Sequence, residues 1–93
     1  MKPSMVRSLD EMELKMSIQA YILIQTEVGK AGLVTKAVTA IAGVTIAEGV
    51  TGPYDVIMRA EAANMDELGK TVLSKIQSIP GITRTLTCPV TNL

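Results

Sequence analysis

The sequence predicts a two-layer α+β domain in the order β-α-β-β-α-β, with a four-stranded antiparallel sheet and both helices on one of its faces. Three observations carry that prediction. Apolar residues alternate at period two through four short runs and recur at helical spacing through two others. A set of residues, Val34, Val38, Ile41, Gly43, Val44 and Thr45, returns thirty-eight positions later as Val72, Ile76, Ile79, Gly81, Ile82 and Thr83, so the chain reads as two copies of strand-helix-strand. The copies meet at Val50-Thr51-Gly52-Pro53-Tyr54-Asp55-Val56, a turn in which Gly52 can supply a positive φ and Pro53 removes a donor and stiffens the backbone. Two such units joined by a central hairpin make the split βαβ, or ferredoxin-like, arrangement.

Residues 1–16 form an N-terminal extension, and 17–93 form the domain. In the extension Met5, Leu9, Met12 and Met16 are spaced four, three and four apart, the stripe of a short amphipathic helix in a charged background, with a disordered segment as the alternative. The first strand runs from Ser17 to Glu27, with Ile18, Ala20, Ile22 and Ile24 on one side and Tyr21 and Leu23 on the other. Gly29 and Gly32 bracket the turn into a helix over about 30–42, whose stripe is Leu33, Val34, Ala37, Val38 and Ile41 and whose end is marked by Gly43. The second strand is Val44 to Val50, with Val44, Ile46, Glu48 and Val50 sharing a face, and the third is Tyr54 to Ala62. Asn64 followed by Glu67 opens a second helix with the stripe Leu68, Val72, Ile76 and Ile79, stopped by Pro80-Gly81. In the last strand, Ile82 to Val90, Thr83, Thr85 and Thr87 share one face, and Ile82, Leu86, Cys88 and Arg84 the other. Arg84 fits that parity poorly; a bulge, or an arginine stem lying along the apolar face with its head at a rim, would reconcile it. The face of the sheet away from the helices then carries Tyr21, Leu23, Ile57 and the three threonines.

Composition narrows the function. Apolar residues make up 47% of the chain, yet there are two Tyr and no Phe or Trp, so the core is aliphatic. So much Val and Ile in 93 residues, with apolar groups on both sheet faces, predicts an obligate homo-oligomer that pairs through its sheets. Nine basic and nine acidic residues cancel, which argues against direct nucleic-acid contact because phosphate binding needs a basic footprint. With no histidine and one cysteine, Cys88, there is neither a metal-ligand set nor a histidine-based triad, and no intramolecular disulfide. No apolar run is long enough for a membrane span or a signal peptide, so the expected setting is the cytoplasm. No base with a nucleophile, no paired carboxylates and no phosphate-cradling loop stand at usable spacing, so no catalytic residue and no cofactor is expected.

Binding a small zwitterion asks for less. One carboxylate suffices for an ammonium group, with hydroxyls and backbone amides for a carboxylate. Asp55, Thr85, Thr87 and the amides around Gly52 supply such a set, although a threonine row is also what β-propensity alone would produce.

Residues from about 20 to 93 resemble the effector-binding domain, often called the RAM domain, of the Lrp/AsnC (feast/famine) transcription regulators. The resemblance rests on Ala20-Tyr21-Ile22-Leu23-Ile24, on Val50-Thr51-Gly52-Pro53-Tyr54-Asp55-Val56, on Asp66-Glu67-Leu68 and on Gly81-Ile82-Thr83-Arg84-Thr85-Leu86-Thr87. It implies a domain that dimerises through its sheets, builds assemblies from tetramer to octamer or decamer, and binds an amino acid effector where dimers meet. It implies ligand-binding roles for Gly52, Tyr54, Asp55, Thr85 and Thr87, with Asp55 taking the ammonium. Family members usually carry a helix-turn-helix domain ahead of this one, whereas sixteen residues precede the first strand here. The resemblance therefore implies a stand-alone module, for which a full-length regulator of the same family is a candidate partner. Two other readings stay open at this point: a small enzyme using the interior of a dimeric α+β barrel as its pocket, and an ACT-like allosteric or partner subunit.

Overall fold

The computed structural model describes residues 17–91. The expected helix at Met5, Leu9, Met12 and Met16 lies outside the described residues. Strands β1 (Ile18–Thr26), β2 (Val44–Gly49), β3 (Val56–Ala62) and β4 (Ile82–Pro89) form one antiparallel sheet in the order β2-β3-β1-β4. Helix α1 (Ala31–Thr39) links the first two strands, and α2 (residues 65–77) links the last two. This is the predicted ferredoxin-like α+β fold.

The two central strands explain the core. Ala20, Ile22 and Ile24 of β1 stand opposite Ala60, Met58 and Val56 of β3, and antiparallel partners point to the same face. All six are fully buried under Val34 and Val38 of α1 and Leu68, Val72 and Ile76 of α2. Each large aliphatic side chain so buried contributes about 1.5–3 kcal/mol. Leu33, expected in the stripe of α1, is instead 64% exposed. The helix is nine residues long and seats itself through the single line of Val34 and Val38, and a neighbour one position away is rotated by about 100° from that line.

Helix α2 begins as expected. The side chain of Asn64 accepts a hydrogen bond from the amide of Glu67 at 2.8 Å, and Asp66 and Glu67 occupy the first turn. Its middle, Gly69–Leu73, is π-helical between the α-helical segments Met65–Leu68 and Ser74–Gln77.

The internal repeat survives at atomic detail. Gly43 and Gly81 hold φ of +97° and +98°. The Gly43 carbonyl accepts from the amide of Glu61 and the Gly81 carbonyl from the amide of Glu27, both at 2.8 Å. Each glycine is followed by a strand residue that pairs in register, then by a threonine at which the register slips. Thr45 is the extra residue in β2 and Thr83 in β4, and their hydroxyls donate to the carbonyls of Arg59 and Gln25, each at 3.2 Å.

These two bulges overturn two expectations of parity. Val44 pairs with core residue Ala60, whereas Ile46 pairs with Arg59 and Glu48 with Ile57, so Val44 does not share a face with Ile46, Glu48 and Val50. In β4, Ile82 pairs with Thr26 and packs against the core, while Arg84, Leu86 and Cys88 pair with Gln25, Leu23 and Tyr21 on the open face. Thr85 pairs with Ile24 and Thr87 with Ile22, which places both on the helix side of the sheet and not on the open face with Tyr21. The bulge at Thr83 is the reason, and it removes the misfit of Arg84. The open face remains apolar without Thr85 and Thr87: Tyr21, Ile46 and Leu86 are 44%, 49% and 45% exposed.

Candidate ligand-binding site

One end of the sheet gathers three segments: the loop 50–55, the last residues of β1 and the first residues of β4. The loop closes on itself through the amide of Val50, which donates to the carbonyl of Asp55 at 2.9 Å. Gly52 has φ of +154°, a conformation that side-chain-bearing residues rarely adopt, and open space surrounds the position of a Cβ there. The positive φ expected at this glycine is present.

Asp55 is held from four directions. Its amide donates to the carbonyl of Ile24 at 2.9 Å, and its carbonyl accepts from Val50. Its Oδ2 accepts from the amide of Thr26 at 2.8 Å and from the Thr26 hydroxyl at 3.3 Å. The carboxylate thus bonds the end of β1 rather than its own turn, and the half-buried side chain is fixed in one orientation. Among the described residues nothing donates to Oδ1. Gln25 adds a further tie, its Nε2 donating to the carbonyl of Pro53 at 3.2 Å. Sequence reasoning missed Gln25 and Thr26, whose only signal is that two polar residues follow the apolar run Ala20 to Ile24.

On the other side of β1, the amide of Glu27 bonds the carbonyl of Gly81, and Thr85 follows opposite Ile24. Ile24 therefore lies between Val56, next to Asp55, and Thr85. Two strand spacings separate Asp55 from Thr85, roughly 10 Å of backbone distance. Thr85 is exposed and Thr87 half-buried, two residues further from this end of the sheet. Tyr54 is half-buried beside Asp55 in the loop. The structure thus brings Gly52, Tyr54 and Asp55 together and keeps Thr85 and Thr87 on a neighbouring edge strand. Among the described residues, no group of three or more His, Cys, Asp or Glu side chains could hold a metal ion, and no helix is long and apolar enough to cross a membrane.

Comparison with known proteins decides the family. Residues 19–92 match the Lrp/AsnC ligand binding domain. The chain belongs to that family. An uncharacterized HTH-type transcriptional regulator of Pyrococcus furiosus is 33% identical over 79 residues, covering 81% of this chain and 52% of the regulator, so the chain spans about half the length of that curated relative. The crystal structure of TTHA0845 from Thermus thermophilus superposes with a TM-score of 0.76 at 28% identity, covering 82% of this chain and 95% of that one. A transcriptional regulator of Neisseria meningitidis, solved as a complex with L-Met, shares the fold with a TM-score of 0.73 at 20% identity, over 91% of this chain and 56% of its own. The Lrp/AsnC ligand-binding domain is a regulatory part of transcription regulators, and its α+β fold is the one the sequence pattern predicted.

Proposed function

We propose that this Lrp/AsnC domain binds an amino acid as effector at the loop 50–55 and works in transcriptional regulation as a cytoplasmic homo-oligomer. The observation that carries the reading is the state of Asp55: one carboxylate oxygen clamps the end of β1, and the other accepts no bond among the described residues. A carboxylate held rigid by one oxygen presents the other to an ammonium group with little further ordering. Gly52 leaves open space beside the loop, and half-buried Tyr54 stands next to Asp55 in the chain. The family match and the L-Met complex of the Neisseria regulator support an amino acid as the zwitterion.

Thr85 and Thr87 lie on an edge strand two strands from the loop, and in this reading they reach the ligand from another subunit. Asp55 of one copy takes the ammonium, and the threonines act from the edge strand of a neighbour. The exposed apolar face of the sheet is the surface through which two copies first pair.

Thermal unfolding with each of the twenty amino acids, at fixed protein concentration, tests the reading on wild type and Asp55→Asn. A ligand at about 100 times its Kd adds roughly 2.7 kcal/mol per site. That is a rise of many degrees for a domain of this size. Asp55→Asn keeps an oxygen for the Thr26 amide but loses the charge, so it is expected to fold and to lose the ligand-induced rise. No stabilisation by any of the twenty, or an equal rise in the variant, would sink the assignment.

A further inference from the structure

The open face of the sheet carries an arginine whose environment the described residues do not complete. Arg59 lies mid-strand in β3, opposite Tyr21 of β1 and Ile46 of β2. Its guanidinium carbon sits 5.8 Å from the centroid of the Tyr21 ring, within cation–π range. Its Nε is buried and, among the described residues, has no hydrogen-bond partner. A buried donor without an acceptor is unfavourable, and a guanidinium group is best satisfied by a carboxylate.

An acid is close at hand but not bonded. Glu48 lines the same shallow cavity of about 160 Å³ as Arg59, with Tyr21, Ile46, Val50 and Ile57 as its walls. Among the described residues, Lys70 with Asp66 at 3.2 Å makes an ion pair, whereas Glu48 with Arg59 does not. Strand register puts two acids, Glu48 and Glu61, and two bases, Arg59 and Arg84, on this face, so it is neutral and apposes a copy of itself without net repulsion. Of the two acids, only Glu48 shares the cavity with Arg59.

In a two-fold interface every contact occurs twice with the roles exchanged. A two-fold axis through this cavity brings Arg59 onto Glu48 of the partner subunit and Glu48 onto the partner's Arg59 in one step. We propose that a second copy of this chain completes the Arg59 site in this way, and that the reciprocal pair sets the register in which the two sheets meet. The inference rests on the sheet-to-sheet pairing of the proposed function and adds the residues that select the partner. The apolar walls bury with the pair, so its charges are desolvated and mispairing is penalised. Any copy of the fold without a base and an acid at these two places is then rejected as a partner.

Sedimentation equilibrium on the full chain tests this with wild type, Glu48→Lys, Arg59→Glu and an equimolar mixture of the two variants. Each reversal alone sets like charges against each other twice per dimer, and self-association is expected to weaken at least about tenfold. In the mixture each contact again joins an acid to a base, so a mixed dimer is expected with close to wild-type affinity. Glu61→Lys is the control and is expected neither to weaken the dimer nor to rescue Arg59→Glu. Wild-type dimers with single variants that associate equally well would overturn the pairing and leave the sheet interface standing. So would a mixture that stays dissociated, or rescue by Glu61→Lys in place of Glu48→Lys. A wild type that is monomeric at micromolar concentration overturns the pairing and the sheet interface together, whereas an absent amino-acid response leaves both intact. Where a reversal prevents folding, the cycle of Glu48→Gln, Arg59→Gln and their combination reads the same contact. Losses in association that simply add refute it.

Discussion

Replacing Asp55 by alanine separates the structural work of this carboxylate from its ligand chemistry. The substitution removes the acceptor of the Thr26 amide at 2.8 Å and of the Thr26 hydroxyl at 3.3 Å. A hydrogen bond to a charged group is worth about 1.5–3 kcal/mol, and a half-buried site places this one near the lower end. The longer hydroxyl contact adds little, because the hydroxyl can turn to solvent. The expected loss is about 1.5–2 kcal/mol, which for a domain under 100 residues lowers Tm by roughly 6–16 °C. Asp55→Asn retains an amide oxygen for Thr26 and is expected to lose less than about 1 kcal/mol. Thr26→Val removes only the hydroxyl and is expected to stay within about 0.5 kcal/mol of wild type. The assay is thermal unfolding by circular dichroism without ligand, at one protein concentration because self-association adds to apparent stability. If Asp55→Ala melts with wild type, or if asparagine is as damaging as alanine, the carboxylate does not clamp the loop and the reasoning fails.

Two further substitutions probe the frame that carries the site. Gly43→Ala forces φ of +97° on a residue with a Cβ and puts that atom 3.1 Å from the carbonyl oxygen of Glu61, so urea unfolding is expected to show a loss of at least about 1–2 kcal/mol. Gly52→Ala meets no clash, because open space surrounds its Cβ, but it also forces a positive φ on a side-chain-bearing residue and is expected to cost about 1 kcal/mol or more from backbone strain alone. Val38→Ala deletes buried methyl groups and is expected to shift the urea midpoint down by the equivalent of about 2 kcal/mol, whereas Leu33→Ala, at an exposed position, is expected to move it by no more than about 0.5 kcal/mol.

Much of the fold is legible because its signals are local and repeated. The alternation in Ala20-Tyr21-Ile22-Leu23-Ile24 separates a core face from an open face without reference to anything else, and Asn64 with Glu67 marks a helix start within four residues. The bulges are illegible for a physical reason. Val44-Thr45-Ile46 and Ile82-Thr83-Arg84 are β-branched throughout or nearly so, and such a run suits a strand at either parity. The repeat does align Thr45 with Thr83, and the misfit of Arg84 points to the second slip, but only the register settles which residue is extra. The candidate site divides along the same line. The sharp loop and its glycine are visible in sequence, while the clamp on Asp55 comes from Thr26, twenty-nine positions away, with no local signature. Arg59 reads as an ordinary strand residue until its buried Nε is seen.

The arrangement of the two repeats has a consequence for how the chain reaches this fold. One half supplies β1, α1 and β2, the other β3, α2 and β4, and the pairings are β2 with β3, β3 with β1, and β1 with β4. Every ladder therefore joins one half to the other, and neither half contains a sheet of its own. A half synthesised alone has unpaired strands and half a core, so order arises only when both are present, in one cooperative step dominated by contacts distant in sequence. The loop 50–55 is the covalent tether in that step. A nick there is expected to leave two fragments that fold only by finding each other, and the same segment that positions Asp55 sets the effective concentration at which the halves meet.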